Sequence, residues 1–253
     1  VKRAFVANLR SGSIELDADE AHHLASVLRA SVSESIEIFD EFGATAQATI
    51  ETVDRKKVIV RVDRIEPAPA NRPIVSVCTA VPKGERADWM IEKLSEVGCD
   101  RLMLLQTSRS VVTPQGQNKW TRWRRITIES AKQCRRVGVM KIRDELLKLD
   151  AISDQPVMLS ESDNEVRATK LVRLVASLRP SARPLIDLNL LTANHVEIFI
   201  GPEGDFSDDE YEQLVKHGAI EVALTPTVMR VETAAVVACS MVSQMLGKRK
   251  SAE

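Results

Sequence analysis

The sequence predicts an α/β protein in two parts: a small β-rich N-terminal domain and a larger C-terminal domain with a mostly parallel sheet. Three observations carry this. Glu66-Pro67-Ala68-Pro69-Ala70-Asn71-Arg72-Pro73 places three prolines in seven positions, which removes backbone donors and favours an extended linker. Before it, apolar residues recur with a period of two: Val58, Val60 and Val62 alternate with Ile59, Arg61 and Asp63. After it, strand-sized apolar runs alternate with helical stripes, the pattern of a parallel sheet covered on both faces. The predicted division is 1–66, a linker over 67–73, and 74–253.

Each element has a local reason. Ile36, Ile38 and the run 44–50 read as strands, with Gly43 at a turn. A helix is predicted over 18–30: Asp17 and Glu20 have capping-box spacing, and Leu24, Val27 and Leu28 form the apolar stripe. In the second part, 74–81 is a β-branched strand, 85–97 a helix stopped by Gly98, 101–106 a strand and 119–136 a long helix. Residues 156–160 read as a strand and 165–178 as a helix. The run 196–200 is a strand entering Gly201-Pro202-Glu203-Gly204. Ser207-Asp208-Asp209-Glu210 opens a helix that stops at Gly218, 220–224 is a strand, and 232–246 is the final helix.

Composition narrows the function classes. The chain has 253 residues, 44% hydrophobic and 28% charged, with formal charge −1. This is a globular composition with no global charge excess that would announce nucleic acid or membrane. The longest apolar runs are strand-sized and the N-terminus lacks a signal-like stretch, so a cytoplasmic location without membrane association is expected. Cys78, Cys99, Cys134 and Cys239 are scattered, without zinc-ligand spacing, so no metal is expected; Cys78 and Cys239 sit in apolar runs and read as core residues. Charge is local instead. Residues 119–148 hold ten basic and three acidic side chains, a net +7, the best electrostatic footprint for RNA in the chain, while the first 66 residues carry net −3. Trp120 and Trp123 could stack on bases, but at this spacing they are more often core or dimer contacts. Of His22 and His23, adjacent on one helix, one is expected to pack and the other to be solvated.

The stretch 198–235 is the most informative. Two strands run into loops of special backbone chemistry, Gly201-Pro202-Glu203-Gly204 and Leu224-Thr225-Pro226-Thr227-Val228-Met229-Arg230. In such sheets ligands sit beyond the carboxyl ends of the strands. Gly201 and Gly204 permit positive φ and close backbone approach, although a tight strand-to-helix turn explains them equally well. No phosphate-cradling glycine motif occurs.

These residues resemble a known family. Ile200-Gly201-Pro202-Glu203-Gly204-Asp205-Phe206-Ser207 with Leu224-Thr225-Pro226-Thr227-Val228-Met229-Arg230-Val231-Glu232-Thr233-Ala234 is similar to the RsmE-type ribosomal RNA uridine-N3 methyltransferases of the SPOUT class. Further matches follow in the right order: His22-His23-Leu24 with Val27-Leu28-Arg29, Lys93 to Gly98, Ser108-Arg109-Ser110-Val111-Val112, and Gln133-Cys134-Arg135-Arg136. The chain departs from the family pattern at Arg135, Met140, Asp205, Thr225, Thr227 and Val231.

The resemblance implies a PUA-like N-terminal β-barrel, a C-terminal domain whose end is tucked into a trefoil knot, and a homodimer acting on 16S rRNA within the 30S subunit. It implies that S-adenosylmethionine is held by Ser160, Ile200, Gly201, Glu203, Gly204, Leu224, Thr225, Val228, Met229 and Arg230, and RNA by Arg3, Arg10, Arg29, Arg109, Arg122, Arg125, Lys132, Arg135 and Arg136. Methylation at N3 must stabilise a uracil that has lost its N3 proton, with charge on O2 and O4. Arginines suit that task, so Arg230 and Arg136 are the catalytic candidates. Glu203 and Glu232 both have the chemistry of a general base, although solvent could also accept the proton, and Glu232 equally fits the first turn of the last helix, where the dipole favours a carboxylate. The alternative is a non-catalytic RNA-binding assembly factor of the same fold.

Overall fold

A computed structural model describes residues 1–54, 57–70, 72–112, 114, 116–152 and 170–247. They form two compact units, Val1–Ala70 with Ala131–Val139, and Asn71–Ser130 with Met140–Glu253.

The first unit is a five-stranded sheet of β1 (Arg3–Phe5), β2 (Gly12–Glu15), β3 (Ser35–Phe39), β4 (Thr45–Val53) and β5 (Val58–Glu66), in the open order β1-β3-β4-β5-β2. Only the β1–β3 pairing is parallel. Val58, Val60 and Val62 point into the core beside Ile36, Ile38 and Ile50, as the period of two requires. The Gly43 turn is held by Asp40, whose Oδ1 accepts from the N–H groups of Phe42, Gly43 and Ala44 at 2.8–2.9 Å.

The first helix is shorter than its sequence suggests. α1 spans Ala18–His22, and a π-helical turn over His23–Val27 follows. Asp17 caps it, its Oδ1 accepting from Glu20 N at 2.8 Å. The reciprocal half of the box is absent, because the Glu20 carboxylate accepts from Phe5 N and pairs with Lys132. The wider turn rotates the stripe: Leu24 is buried, but Val27 is 60% exposed. His22 is exposed and His23 half-buried.

The second unit is an eight-stranded sheet. Its strands are β6 (Ile74–Ala80), β7 (Arg101–Gln106), β8 (Lys141–Ile142), β9 (Leu147–Lys148), β10 (Leu171–Ala176), β11 (Arg183–Pro184), β12 (His195–Ile200) and β13 (Ala219–Ala223). The order is β11-β13-β10-β12-β6-β7-β8, with β9 also on β7, and every pairing is parallel. The helices are α2 (Arg86–Glu96), α3 (Gln117–Cys134), α4 (Asp208–Lys216) and α5 (Val231–Gly247). α4 carries the complete Ser207–Glu210 capping box.

Both sheet faces are covered. On one, Val75, Val77, Leu102, Leu104, Leu174, Val196 and Ile198 share a core with Met90, Ile91 and Leu94 of α2 and Ala235, Ala238, Cys239 and Val242 of α5. On the other, Cys78, Met103, Val175 and Phe199 meet Tyr211 and Leu214 of α4. Trp123 is fully buried, its Nε1 donating to Asp88 Oδ1 at 2.7 Å, so it serves packing. Cys78 is a core thiol, and burial together with Glu197 pushes its pKa well above the ordinary value. The apolar stripe of α5 is likewise core: Ala235, Ala238, Cys239 and Val242 are fully buried, and Ala234, Val236, Val237, Met241 and Met245 are half-buried.

One element is a correction. Residues 171–176, predicted as part of a helix over 165–178, form β10. This strand lies between β12 and β13 and is covered on both faces, so its sequence shows no alternation to read. Arg173 mimicked the polar face of a helix. It is buried, its Nε 2.9 Å from Glu197 Oε2 on the neighbouring strand, and its Nη1 donates to His217 O at 3.0 Å. Residues 156–160, including Ser160, and 165–169 lie outside the described residues.

Arg173 begins a buried polar row. Register aligns Arg173 with Glu197, Glu197 with Ser76, and Ser76 with Arg101. The Ser76 hydroxyl bonds His195 Nε2 at 2.7 Å. Burial, then the charges of Arg101 and Arg173, push the His195 imidazole from 6.5 down to about 4. The folded protein therefore resists a proton that the unfolded chain accepts. His195 contributes fully above about pH 6.5, and its contribution falls away toward pH 4, by at most about 3 kcal/mol. Urea unfolding at about pH 7.5 and pH 5 should show a smaller acid loss for His195→Gln than for the wild type. Identical losses would refute the buried neutral imidazole.

Candidate active site

Because β10, β12 and β13 are parallel neighbours, their carboxyl-end loops emerge side by side. These loops and the start of α5 surround a pocket of about 360 Å³. It is lined by Ala176, Ser177 and Leu178 after β10, Ile200, Gly201, Pro202, Glu203 and Asp205 after β12, and Leu224, Thr225, Thr227, Val228, Met229 and Arg230 after β13. Val231 and Ala234 of α5 and Arg86 of α2 complete it.

The β12 loop is held by specific bonds. Asp205 adopts a left-handed conformation, φ 62°, which a short polar side chain tolerates. Its Oδ1 accepts from Phe206 N at 2.8 Å and from the Tyr211 hydroxyl at 3.2 Å. Burial pushes Tyr211 up to about 12, which keeps that donor protonated. Arg109 braces the loop from the β7 side, donating to Gly204 O at 2.6 Å and Phe206 O at 3.3 Å.

The glycines work differently from the expectation. Neither Gly201 nor Gly204 has positive φ. Packing favours Gly201: a Cβ there would lie 3.1 Å from Phe206 N and 3.1 Å from Asp205 Oδ1, so the loop would have to give by a few tenths of an ångström. Gly204 does not line the pocket, and a Cβ on it would meet the Arg109 side chain at 3.4 Å. Thr225, where the family pattern has glycine, also lacks positive φ; its Oγ1 donates to Thr227 O at 2.9 Å.

The residue that sequence reasoning missed is Arg86. Its Nη2 lies 3.0 Å from Glu203 Oε1 and its Nη1 3.6 Å from Glu232 Oε1, so one guanidinium joins the β12 loop to the first turn of α5. The available signal was position: Arg86 follows the carboxyl end of β6, which neighbours β12. The helix predicted over 165–178 gives no reason to expect 176–178 in a carboxyl-end loop; the strand β10 puts them there.

A second hollow, of about 510 Å³, adjoins the first and shares Val228, Met229, Arg230 and Arg86 with it; Trp89, Glu232 and Thr233 complete its lining. Arg230 is exposed and makes no ion pair among the described residues. Glu232 is 5% exposed, and its Oε2 has no hydrogen-bond partner among the described residues. Arg136 belongs to the first unit. Among the described residues, no group of three or more His, Cys, Asp or Glu side chains could hold a metal ion.

Residues 69–243 match the RNA methyltransferase domain family, and residues 16–63 the RNA methyltransferase PUA domain family. Over 236 residues the chain is 31% identical to ribosomal RNA small subunit methyltransferase E of Mycobacterium tuberculosis, spanning 92% of this chain and 87% of the relative. The chain belongs to the RNA methyltransferase family. A Legionella pneumophila protein solved in complex with the cofactor SAM is similar to this methyltransferase with a TM-score of 0.77, at 28% identity over 96% of both chains. Ribosomal RNA small subunit methyltransferase E of Neisseria gonorrhoeae, bound to S-adenosyl methionine, has a TM-score of 0.79 at 20% identity, over 96% of this chain and 97% of that one, and supports the fold. Membership favours the catalytic reading over the assembly factor.

Several residues expected at RNA are structural in this methyltransferase. Arg3 is buried: its Nε pairs with Glu37 at 2.5 Å, its Nη atoms donate to Ala131 O and Arg136 O, and it stacks 3.9 Å over Phe39. Lys132 is buried against Glu20 at 2.7 Å. Neither has a free head group for phosphate. Arg135, at φ 55°, donates to Val1 O at 3.0 Å, and Arg122 pairs with Asp88 at 2.6 Å, although both are exposed. Arg10, Arg29 and Arg125 are exposed. No helix among the described residues is long and apolar enough to cross a membrane.

Arg86→Ala should loosen the two loops it joins. Amide hydrogen exchange should quicken several-fold at 203–205 and 228–233, with β6 and β12 unchanged. Unchanged loop exchange would mean that the loops hold each other without the guanidinium.

Proposed function

We propose that the chain methylates N3 of a uridine in 16S rRNA within the 30S subunit, using S-adenosylmethionine, and works as a homodimer. The observation that carries the reading is the single pocket formed by the β10, β12 and β13 loops in a chain of the RNA methyltransferase family. The pocket fits such a cofactor. Its volume lies in the range of small-molecule sites, Ile200, Leu224, Val228 and Met229 offer apolar wall, and Gly201 adds no side chain to the lining. When bound, the cofactor supplies a methyl group on a sulfonium. Ile200, Gly201, Glu203, Leu224, Thr225, Val228, Met229 and Arg230 are the holding residues in this reading, joined by 176–178; Gly204 acts through Arg109.

The chain's own task is to orient the base and stabilise the anion left by loss of the N3 proton. Arg230 lines both hollows and its guanidinium is not committed to a carboxylate, which supports it as the charge facing O2 or O4. Two features support the knotted path: β12 is inserted between β6 and β10, and α5 runs from the β13 edge to pack against α2, β6 and β12. Val237, half-buried and outside the core cluster, and the still partly exposed Val236, Met241 and Met245 are the α5 residues this reading offers for a dimer contact. Arg10, Arg29 and Arg125 are the exposed candidates for RNA, with the 30S subunit as the physiological partner and the cytoplasm as the site of action.

Arg230→Ala should bind S-adenosylmethionine within a few-fold of the wild type, yet lose about 10²–10³ in single-turnover methylation of unmethylated 30S subunits. Arg230→Lys keeps the charge without the planar fork and should recover part of the rate. Near-normal turnover by the alanine variant would move the catalytic charge to Arg136.

A further inference from the structure

We infer that the hollow beside the cofactor pocket is the seat of the target base, with Trp89 as its stacking surface and Glu232 as the acceptor of its N3 proton. The inference rests on the methyl transfer proposed above.

Two independent observations point to a ligand there. Trp89 is 44% exposed, whereas Met90, Ile91 and Leu94 on the same helix are buried and Trp123 is wholly in the core. A large aromatic side chain left partly in water beside a hollow is suited to a planar partner. Glu232 is 95% buried by the same measure, and its Oε2 has no hydrogen-bond partner among the described residues although the residue lines that hollow. A buried acceptor without a donor is costly, and a ligand N–H would satisfy it.

The edge chemistry identifies the ligand class. Arg86, Glu232 and Arg230 line one hollow and offer donor, acceptor and donor groups. The O4, N3–H and O2 edge of uracil presents acceptor, donor, acceptor, the complement of that set. Cytosine presents a bare acceptor at N3 and would meet Glu232 with like polarity. Trp89, Val228 and Met229 supply the flat apolar surface. The wall formed by Val228, Met229 and Arg230 belongs to both hollows, so a base in one lies against the methyl donor's pocket in the other. In the transfer, the N3–H bond breaks and its proton passes to Glu232 Oε2. The electron pair on N3 forms the new N–CH₃ bond, and the pair of the broken S–CH₃ bond stays on sulfur as a neutral thioether.

The test compares Trp89→Phe with Trp89→Leu on unmethylated 30S subunits, with cofactor affinity by calorimetry and subunit association by light scattering. Phenylalanine keeps an aromatic face and should stay within about three-fold of the wild type in kcat/KM; leucine keeps apolar bulk only and should lose about 10- to 100-fold, with cofactor affinity and association unchanged. Equal activity of the two variants, or a leucine loss that tracks a change in association, overturns the stacking role. Should the leucine variant not fold, Glu232→Gln decides. It should bind cofactor and 30S within a few-fold of the wild type and lose at least about 10² in single-turnover rate; wild-type turnover overturns the subsite. Wild-type protein that forms no 3-methyluridine overturns the proposed function as well, whereas active wild type with equivalent Phe and Leu variants overturns the base seat alone.

Discussion

One guanidinium joins the parts of this site. Arg86 stands at the start of α2, just past the carboxyl end of β6, and reaches Glu203 on the β12 loop and Glu232 on α5. Without it, Arg109 and Tyr211 would still brace the β12 loop, but no ion pair among the described residues would join that loop to the start of α5. The Glu203 contact is partly solvated, and an exposed pair alone is worth little. Glu232 is buried, and Arg86 is the cation placed beside it, so this end of the bridge carries more of the constraint. The same bridge leaves Arg230 uncommitted. Had Arg230 paired with Glu203 or Glu232, its charge would serve the loop rather than a substrate.

The sheet explains why these groups meet. A wholly parallel sheet puts every carboxyl-end loop on one edge, and the order β13-β10-β12-β6 sets four of them in succession. Helices on both faces leave that edge as the place where backbone turns and polar side chains can face a ligand. The opposite half of the central strands holds the Arg173–Glu197–Ser76–Arg101 row, in which Arg173 pairs with Glu197 and Ser76 bonds His195. Its polar groups are spent on contacts within the sheet, whereas near the carboxyl edge Glu232 Oε2 has no hydrogen-bond partner among the described residues.

Much of this was legible in the sequence, for identifiable reasons. The strand 101–106 and the Ser207–Glu210 cap have the same bounds in the structure, because a short apolar run and a capping box are local signals. The β12 and β13 loops stood out through Gly201, Gly204 and Arg230, and they do form one pocket. What escaped depends on tertiary contact. β10 is buried on both faces and carries an arginine whose partner lies 24 residues away, so no period betrays it. Residues 131–139 join the first unit through bonds such as Arg3 to Ala131 O, which no linear boundary could show. The basic stretch 119–148 has net +7, yet Lys132 and Arg122 are engaged by Glu20 and Asp88; charge counting sees residues but not their partners. Arg86 was one basic residue among 35 until its two carboxylates were in place.

The central claim is that the loops joined by Arg86 direct a methyl group to uracil N3. The most direct measurement incubates the purified protein with unmethylated 30S subunits and S-adenosylmethionine, then digests the 16S rRNA to nucleosides for mass spectrometry against synthetic standards. The account predicts a single new nucleoside, 3-methyluridine, at up to one per subunit. A methyl group on a ribose oxygen, on a ring carbon or on another base would contradict it, as would no incorporation by folded protein that binds the cofactor.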